Sequence, residues 1–454
     1  MRSLLVLLVL FLAACASVPP ADPSIEAAWV VLGEEGSPIA RVITTAGLCP
    51  AVLEDGVPRM MTQRAGPATI PQRATASAPE DSKPSAFPVL TCETALDRRA
   101  RSAMVGGRRL PLPIGEPRRI VVIGDSGCRM KAADKSFQPC NDAAEWPFAD
   151  VATSAAAMKP DLVIHVGDYH YRENACPADN AGCSGSPWGF GWDTWKADFF
   201  APAEKLLAAA PWLMIRGNHE TCVRAGQGWW RFLDPRPLEA GRDCNAASDD
   251  ARGDYSAPYR VPLGGGANVI VFDSSKAPSG AWKAGDPAIA TYASQFAEAT
   301  RPAGDAGFSI YAMHHPILGF APVWDKSSSA EAAPGNAALQ QVMRAVSGPR
   351  LFPKGTGLSL AGHVHLFEAV GFSSDHPAQL VVGNAGTALD PALPATLSAK
   401  TQPYPDARHD VFGSASVFGF ATMEGAGDRW SLRAWDRTGK PLSAWTLQNG
   451  KLAP

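Results

Sequence analysis

The stretch "LVIHVGDYHYRE", residues 162–173, joins a strand-like apolar run to a cluster of polar side chains. The run stops at Gly167-Asp168, and Tyr171 stands three positions after the aspartate. Apolar runs without polar alternation are typical of strands that are buried on both faces of a sheet. An aspartate after a strand is usually a turn residue. Whether Asp168 has a functional role therefore depends on which residues stand at the ends of the other strands.

Runs of the same kind recur after residue 118, namely "RIVVIGD", "WLMIRGN", "ANVIVFD", "FSIYAMHH", "LSLAGHVH" and "AQLVVGNAG". Helical stretches at 192–210 and 337–346 lie between some of them. Repeated strand–helix–strand units predict an α/β domain over 118–450, which ends in antiparallel strands. Residues 25–112 contain shorter strand-like segments around a Pro/Ala/Ser-rich stretch at 66–88, which predicts a small β-rich domain with an exposed loop.

The first fifteen residues, "MRSLLVLLVLFLAAC", have the pattern of an export signal. Their apolar run is too short to span a bilayer comfortably, and its end resembles the lipobox of bacterial lipoproteins, in which the cysteine is acylated. The alternative is an ordinary cleaved secretory signal. We expect an exported chain that is lipid-anchored to a membrane at Cys15, with 16–24 as a tether. By the same resemblance, Ala16 favours the outer membrane, facing the periplasm or the cell surface.

The cysteines agree with an oxidising compartment, because removal of Cys15 from the nine leaves an even number. Sequence alone does not fix connectivity, but neighbouring positions suggest the pairs Cys49–Cys92, Cys128–Cys140, Cys176–Cys183 and Cys222–Cys244. No CxxC pair occurs, which argues against thiolate metal sites. A net charge of −3 without a dense Lys/Arg run argues against nucleic acid as a partner.

Polar side chains of metal-binding type stand at the ends of five of the apolar runs. They occur in Gly124-Asp125, Gly167-Asp168-Tyr169-His170-Tyr171, Gly217-Asn218-His219-Glu220, His314-His315-Pro316 and Gly362-His363-Val364-His365. Each motif alone is common in turns, but six of the nine histidines fall within the set. Open α/β sheets build their sites at the carboxyl ends of strands, so we expect these residues to meet.

The ordered motifs resemble those of the calcineurin-like metallophosphoesterases, and more specifically of the purple acid phosphatase branch. Most of that superfamily has Asp-x-His in the first motif, whereas this chain has Asp125-Ser126-Gly127. In the purple branch the tyrosine of a GDxxY motif replaces that histidine, and Tyr171 stands in this position. The resemblance implies a ββ sandwich flanked by helices.

The same resemblance implies seven ligands for two metal ions. Asp125, Tyr171 and His365 would hold the first ion, and Asp168 would bridge. Asn218, His314 and His363 would hold the second. His314 is chosen over its neighbour because the family ligand precedes proline by two positions. A phenolate is a hard anionic donor that favours Fe(III) at the first position, and the second ion would be Zn, Mn or Fe(II).

The activity implied is hydrolysis of phosphate monoesters in a small phosphorylated substrate, by attack of a hydroxide held by the metal ions. His219 is the candidate for protonating the leaving oxygen. Glu220 would orient His219 or a ligand histidine, or be a helix N-terminal acid. His170 and His315 would face the substrate or buttress ligands. Arg172 would hold a phosphate, or form a surface salt bridge.

Two long loops, 173–195 and 222–260, carry tryptophans. These side chains could stack on a substrate ring, but in such loops they more often pack on the core, and we favour packing.

Two other functions stay open. A metallophosphodiesterase acting on cyclic nucleotides or phospholipid head groups would have nearly the same ligands. A non-catalytic surface lipoprotein is disfavoured because all seven ligand positions are filled.

Overall fold

The computed structural model describes residues 21–304, 307–323, 332–398 and 400–454. The predicted export signal with Cys15, and most of the predicted tether, lie outside these residues. Within the described ranges, no helix is both long and apolar enough to cross a membrane.

Strands make up most of the regular structure. Up to residue 214 they are β1 (Ile25–Leu32), β2 (Pro38–Thr44), β3 (Ala51–Glu54), β4 (Val57–Met60), β5 (Thr62–Ala65), β6 (Ala68–Ile70), β7 (Ser85–Phe87), β8 (Leu90–Ala95), β9 (Ala103–Val105), β10 (Arg108–Arg109), β11 (Arg119–Ile123), β12 (Met130–Lys131), β13 (Ser136–Phe137), β14 (Leu162–His165) and β15 (Trp212–Met214). After it they are β16 (Tyr259–Gly264), β17 (Ala267–Val271), β18 (Phe308–Ala312), β19 (Phe320–Pro322), β20 (Ala332–Pro334), β21 (Thr356–Ala361), β22 (Phe367–Phe372), β23 (Ala378–Val382), β24 (His409–Ala415), β25 (Gly419–Ala426), β26 (Arg429–Asp436), β27 (Pro441–Gln448) and β28 (Lys451–Ala453).

The helices are mostly short. They are α1 (Phe148–Ala157), α2 (Trp192–Trp195), α3 (Glu204–Leu207), α4 (Gly226–Gly228), α5 (Asp250–Gly253), α6 (Pro287–Gly304) and α7 (Ala337–Ser347). The helix predicted over 192–210 is divided into α2, a π-helical turn at Lys196–Phe200 and α3. Pro202 lies at the break, where it supplies no backbone N–H. The helix predicted at 337–346 is α7, and the Asn336 side chain caps it by accepting from the Leu339 N–H.

Two large sheets form the core of the fold. In the described residues, the long sheet has eleven strands in the order β28-β27-β26-β25-β11-β14-β15-β1-β2-β8-β5. The second sheet has seven, in the order β16-β17-β18-β21-β23-β22-β24. β11, β14 and β15 run parallel in the long sheet, as do β17, β18, β21 and β23 in the second. Parallel strands end at the same edge of a sheet, so the loops after them gather there.

The sheets pack face to face, and helices cover their outer faces. Alternation along β11 illustrates this arrangement: Ile120 and Val122 belong to the core between the sheets, whereas Val121 and Ile123 pack with α1. On the second sheet, Ile270 packs under α6 and α7. The predicted α/β class and the ββ sandwich flanked by helices are therefore confirmed.

The N-terminal segment is rich in strands but continues the long sheet. β1 pairs in parallel with β15, with Val31 opposite Trp212, and β2, β8 and β5 extend the sheet outward. The edge strand of an open sheet has unpaired N–H and C=O groups, and β1 pairs with those of β15. The domain boundary after residue 112 stays a prediction. The stretch 66–88 is not wholly loop, because β6 and β7 pair within it.

All four predicted disulfides are present, at Cys49–Cys92, Cys128–Cys140, Cys176–Cys183 and Cys222–Cys244. The Cys128–Cys140 bond closes the hairpin of β12 and β13, between the end of β11 and the start of α1. It therefore braces a loop that leaves the same strand end as Asp125.

Candidate metal centre

The side chains of the seven predicted ligands meet at the carboxyl ends of β11, β14, β15, β18 and β21. Five of them are buried, and the other two, Asn218 and His363, are partly exposed. They meet where the carboxyl ends of the parallel strands of the two sheets lie next to each other. This placement agrees with the expectation drawn from the motifs.

The first group of donors surrounds the Tyr171 hydroxyl. Tyr171 Oη lies 2.9 Å from Asp125 Oδ1, 2.9 Å from Asp168 Oδ2 and 3.1 Å from His365 Nε2. His365 Nδ1 lies 3.0 Å from the Ala388 carbonyl, and donation there leaves a lone pair on Nε2. A phenol has one proton to share among these acceptors, so the group as a whole is deficient in positive charge.

The second group surrounds the Asn218 amide oxygen. Oδ1 lies 3.0 Å from His314 Nε2 and 2.9 Å from His363 Nδ1. His314 Nδ1 lies 2.8 Å from the Val166 carbonyl, which fixes its tautomer and directs Nε2 into the group. Asp168 Oδ2 lies 3.2 Å from His314 Nε2. Ligand atoms of Asp168, His314 and His363 all lie within 4.8 Å of one another.

Asp168 is shared by the two groups. Its Oδ2 contacts Tyr171 in the first and His314 in the second, while its Oδ1 accepts from the His219 N–H at 2.8 Å. Asp125 belongs to the first group only, but its two oxygens are divided in a similar manner. Oδ2 accepts from the His363 N–H at 3.0 Å, and Oδ1 faces Tyr171. Each carboxylate thus has one oxygen fixed by a backbone N–H and one directed into the centre.

The backbone at this centre is strained. Asp125, Asp168 and His363 have φ values of 56°, 59° and 69°, in the left-handed region that costs a non-glycine residue about 1–3 kcal/mol. Glycine neighbours permit close approach: a Cβ on Gly217 would lie 2.1 Å from Asp168 Oδ1, and one on Gly362 would lie 2.4 Å from Asp125 Oδ2. The fold therefore holds these side chains in a costly but fixed arrangement.

The charges fit a cation. Asp125 and Asp168 are buried, and in the part of the chain that the structure describes their ion-pair partners are histidines. Against the effect of burial, the Asp168 and Asp125 carboxylates raise the pKa of His314 to about 9. Burial and the same carboxylates raise the pKa of Tyr171, so a phenolate there requires a nearby cation. Oxygen and imidazole donors of this kind suit Fe, Zn or Mn.

His219 lies beside the first group and is held by Glu173 of another loop and by Arg224 of its own loop. Its ring centroid is 3.9 Å from that of Tyr171, and its Nδ1 lies 2.8 Å from Glu173 Oε1. Arg224 Nε donates to the same Glu173 oxygen at 2.9 Å, and its Nη2 lies 2.7 Å from the His219 ring. Burial and Arg224 lower the pKa of His219 to about 3, so the ring is neutral near pH 7.

A polar cleft of about 670 Å³ opens onto both groups. In the described residues it is lined by Arg129, Lys131, Asp134, Lys135, Ser136, Asp168, Tyr171, Asn218, His219, Arg224, Ser279, His363, His365 and Asp390. A small anionic molecule can therefore reach the proposed ligands from solvent.

The sequence profile described as calcineurin-like phosphoesterase matches residues 118–366, more than half of the chain. The chain belongs to the calcineurin-like phosphoesterase family. No curated protein sequence matches the chain. The fold is similar to that of a purple acid phosphatase from yellow lupin (Lupinus luteus) seeds, with a TM-score of 0.57 at 15% identity over 93% of this chain and 74% of that one. It is also similar to PhoD, with a TM-score of 0.51 at 11% identity over 96% and 93%.

Glu220 contacts none of the residues that its predicted role names. Its carboxylate accepts from the backbone N–H groups of Asp168 and Gly217, each at 3.0 Å, and of Tyr169 at 2.9 Å. Of the two roles predicted for Glu220, the structure therefore favours the helix N-terminal acid over the orientation of His219 or a ligand histidine. In this calcineurin-like phosphoesterase, Glu220 ties together the two loops that carry Asp168 and Asn218.

Two other predicted side chains point away from the cleft. Arg172 forms a buried ion pair with Asp198, Nε to Oδ1 at 2.6 Å, so neither the phosphate contact nor the surface salt bridge is present. His170 is buried, and its ring lies 5.6 Å from that of Phe190 and 5.7 Å from that of Trp195. It neither faces substrate nor buttresses a ligand, because the loop turns it toward the aromatic core.

His315 does buttress a ligand. Its ring lies 4.2 Å from that of His363, and its Nδ1 lies 3.1 Å from Ser274 Oγ. It is buried behind His363 and does not line the cleft. Of the two roles predicted for His315, the structure therefore favours the second.

Three residues near the centre were not predicted. Glu173 and Arg224 hold His219, and Asp198 accepts from the N–H groups of Tyr171 and Cys128 at 2.7 and 3.0 Å. Glu173 and Arg224 stand in long loops without a motif. Asp198 has one recognisable sequence feature: it is a charged residue beside the apolar residues of "DFFAP", which is typical of a buried carboxylate with a partner.

Proposed function

We propose that this chain is a dinuclear-metal phosphoesterase that hydrolyses phosphate monoesters. Asp125, Tyr171 and His365 would hold one ion, and Asn218, His314 and His363 would hold the other. The observation that carries this proposal is the position of Asp168 Oδ2, which faces donors of both groups. A bridging carboxylate is what two neighbouring cations require.

When bound, the metal ions supply Lewis-acid chemistry: they lower the pKa of water and offset charge on the phosphate oxygens. The anionic oxygen donors of the first group favour Fe(III), with Zn, Mn or Fe(II) in the second. The protein's own contribution is to hold these donors on a backbone already fixed in the required geometry.

We further propose that His219 contacts the leaving-group side of the substrate and donates a proton from Nε2. Glu173 fixes the ring through Nδ1, and Nε2 lies on the side of the proposed ligands, 3.8 Å from Asp168 Oδ2 and 2.7 Å from Arg224 Nη2. A phosphate dianion beside the ring raises the pKa of His219 from its low value, because a nearby negative charge favours the imidazolium. Arg224, which lines the cleft, stands where it can contact the same anion.

Replacement of Glu173 by glutamine tests the positioning of His219. We expect kcat for a poor leaving group to fall by roughly 10- to 100-fold, since the ring loses its anionic partner. KM should change little, because Glu173 does not line the cleft. Steady-state kinetics with an alkyl phosphate and with 4-nitrophenyl phosphate check this: a leaving group that needs no proton should be much less affected. Equal losses with both substrates would contradict the role.

Substrate preference tests the proposed function as a whole. The metal-loaded chain should hydrolyse 4-nitrophenyl phosphate at least about tenfold more efficiently than bis(4-nitrophenyl) phosphate, by kcat/KM. Removal of metal by a chelator should abolish both activities, and added metal should restore them. Faster diester hydrolysis would instead support the phosphodiesterase alternative, and no hydrolysis of either would support the non-catalytic one.

We also propose that the chain is exported and lipid-anchored at Cys15, at the outer membrane. Four disulfides in the described residues support an oxidising compartment. Metabolic labelling with a fatty-acid analogue checks the anchor: label should enter the wild type and be absent from Cys15→Ser.

A further inference from the structure

The hairpin of β12 and β13 forms one wall of the cleft. Five of its residues line it, namely Arg129, Lys131, Asp134, Lys135 and Ser136. Asp134 Oδ2 lies 3.3 Å from Arg129 Nη2 and 3.3 Å from Lys131 Nζ. One carboxylate is thus set against three cationic side chains, so this wall carries excess positive charge that the proposed ligands do not use.

The hairpin is held in a fixed position relative to the candidate metal centre. The Cys128–Cys140 disulfide closes it, and the Met130 N–H donates to the Tyr171 carbonyl at 3.0 Å. The Gln138 amide accepts from the Arg129 N–H at 2.9 Å and donates to the Gly386 carbonyl at 2.9 Å. The backbone that carries these cations is therefore fixed beside the loop of Tyr171.

The rest of the cleft offers little to an apolar substrate. Among the described residues that line it, Tyr171 is the one Phe, Tyr or Trp, and it is a proposed ligand. Of the loop tryptophans considered for stacking, Trp192, Trp195, Trp229 and Trp230 are buried in the core with at most 6% of their surface exposed. Trp188 is half-buried beneath Lys83 and does not line the cleft. Neither a nucleobase nor a phenyl group would find an apolar partner here.

We infer that the β12–β13 hairpin binds a second anionic group of the substrate through Lys131 and Lys135. The preferred substrates are then small phosphate monoesters that carry a further carboxylate or phosphate and no large apolar group. This inference rests on the proposed function, whose site it deepens. A charge-assisted hydrogen bond to a lysine ammonium stabilises such an anion more than a neutral hydroxyl.

A matched substrate pair tests this. 3-Phosphoglycerate and glycerol 3-phosphate differ by one carboxylate in place of a hydroxymethyl group. We expect the metal-loaded wild type to prefer 3-phosphoglycerate about tenfold in kcat/KM. Lys131→Gln/Lys135→Gln should bring this ratio close to one, mainly through a higher KM for 3-phosphoglycerate. Lys159→Gln, an exposed lysine before the start of β14, is the control and should keep the preference.

Competitive inhibition of 4-nitrophenyl phosphate hydrolysis by the same two ligands, measured on the metal-loaded chain, gives a readout that does not depend on their own turnover. Tighter binding of 3-phosphoglycerate in the wild type, lost in the double variant, would support the inference. Equal kcat/KM for the two substrates in the wild type would overturn it while leaving the proposed function intact. Failure to hydrolyse either one, or 4-nitrophenyl phosphate, would overturn the proposed function instead.

Discussion

Asp168→Asn is expected to lower kcat/KM for phosphate monoesters by on the order of 10³-fold and to reduce the metal content of the purified chain. Oδ2 of this residue faces both donor groups, so the loss of its charge weakens both proposed metal positions together. The amide is nearly isosteric, and its remaining oxygen can still accept from the His219 N–H. Kinetics with 4-nitrophenyl phosphate and elemental analysis of the same sample check the result.

The matched control is Asp161→Asn, at the opposite end of β14. Asp161 Oδ2 accepts from the N–H groups of Arg118 and Arg119 at 2.8 and 2.9 Å, far along the strand from the centre. This variant should keep two metal ions and nearly full activity. If Asp168→Asn retains both, the bridging assignment is wrong.

Gly217→Ala should also be nearly inactive. The Cβ would lie 2.1 Å from Asp168 Oδ1 and 2.2 Å from its backbone nitrogen, and neither can move without shifting the carboxylate. Gly217 has φ of −99°, which alanine adopts freely. Any loss of stability or activity would therefore come from the clash of the new Cβ with Asp168 and not from backbone strain. We expect destabilisation of roughly 1–3 kcal/mol together with lost metal binding, measured by thermal unfolding and elemental analysis.

Gly115→Ala provides the comparison, because a Cβ there meets nothing within 4 Å. It should match the wild type in stability, metal content and activity. Wild-type metal binding by Gly217→Ala would mean that Asp168 tolerates displacement, and that a fixed geometry of its carboxylate is not required.

The core strands could be predicted because they are continuously apolar. The run at 162–165 is buried at every position, as is the strand at 119–123 apart from its first residue. The addition of β1 to the long sheet could not be predicted, since the pairing of Val31 with Trp212 depends on tertiary contacts 181 positions apart in the numbering. Local pattern gives the strand but not its neighbour.

The ligand set could be proposed because each member stands next to a strand end within a motif. The residues around it could not, because their roles depend on where a loop turns each side chain. Arg172 is adjacent to Tyr171 in sequence, yet it points to Asp198, whereas Glu173 contacts His219 of another loop. Sequence adjacency does not give side-chain direction in irregular structure.

The visible absorption spectrum of the metal-loaded protein tests the central claim, that Tyr171 belongs to a dinuclear metal centre. We predict a broad charge-transfer band from phenolate bound to Fe(III), which colours the wild type pink to purple and is absent from Tyr171→Phe. Elemental analysis of the same wild-type sample should give two metal ions per chain. A wild type that binds two metal ions but is colourless, or a band that persists in Tyr171→Phe, would contradict the assignment of Tyr171 as a ligand of Fe(III).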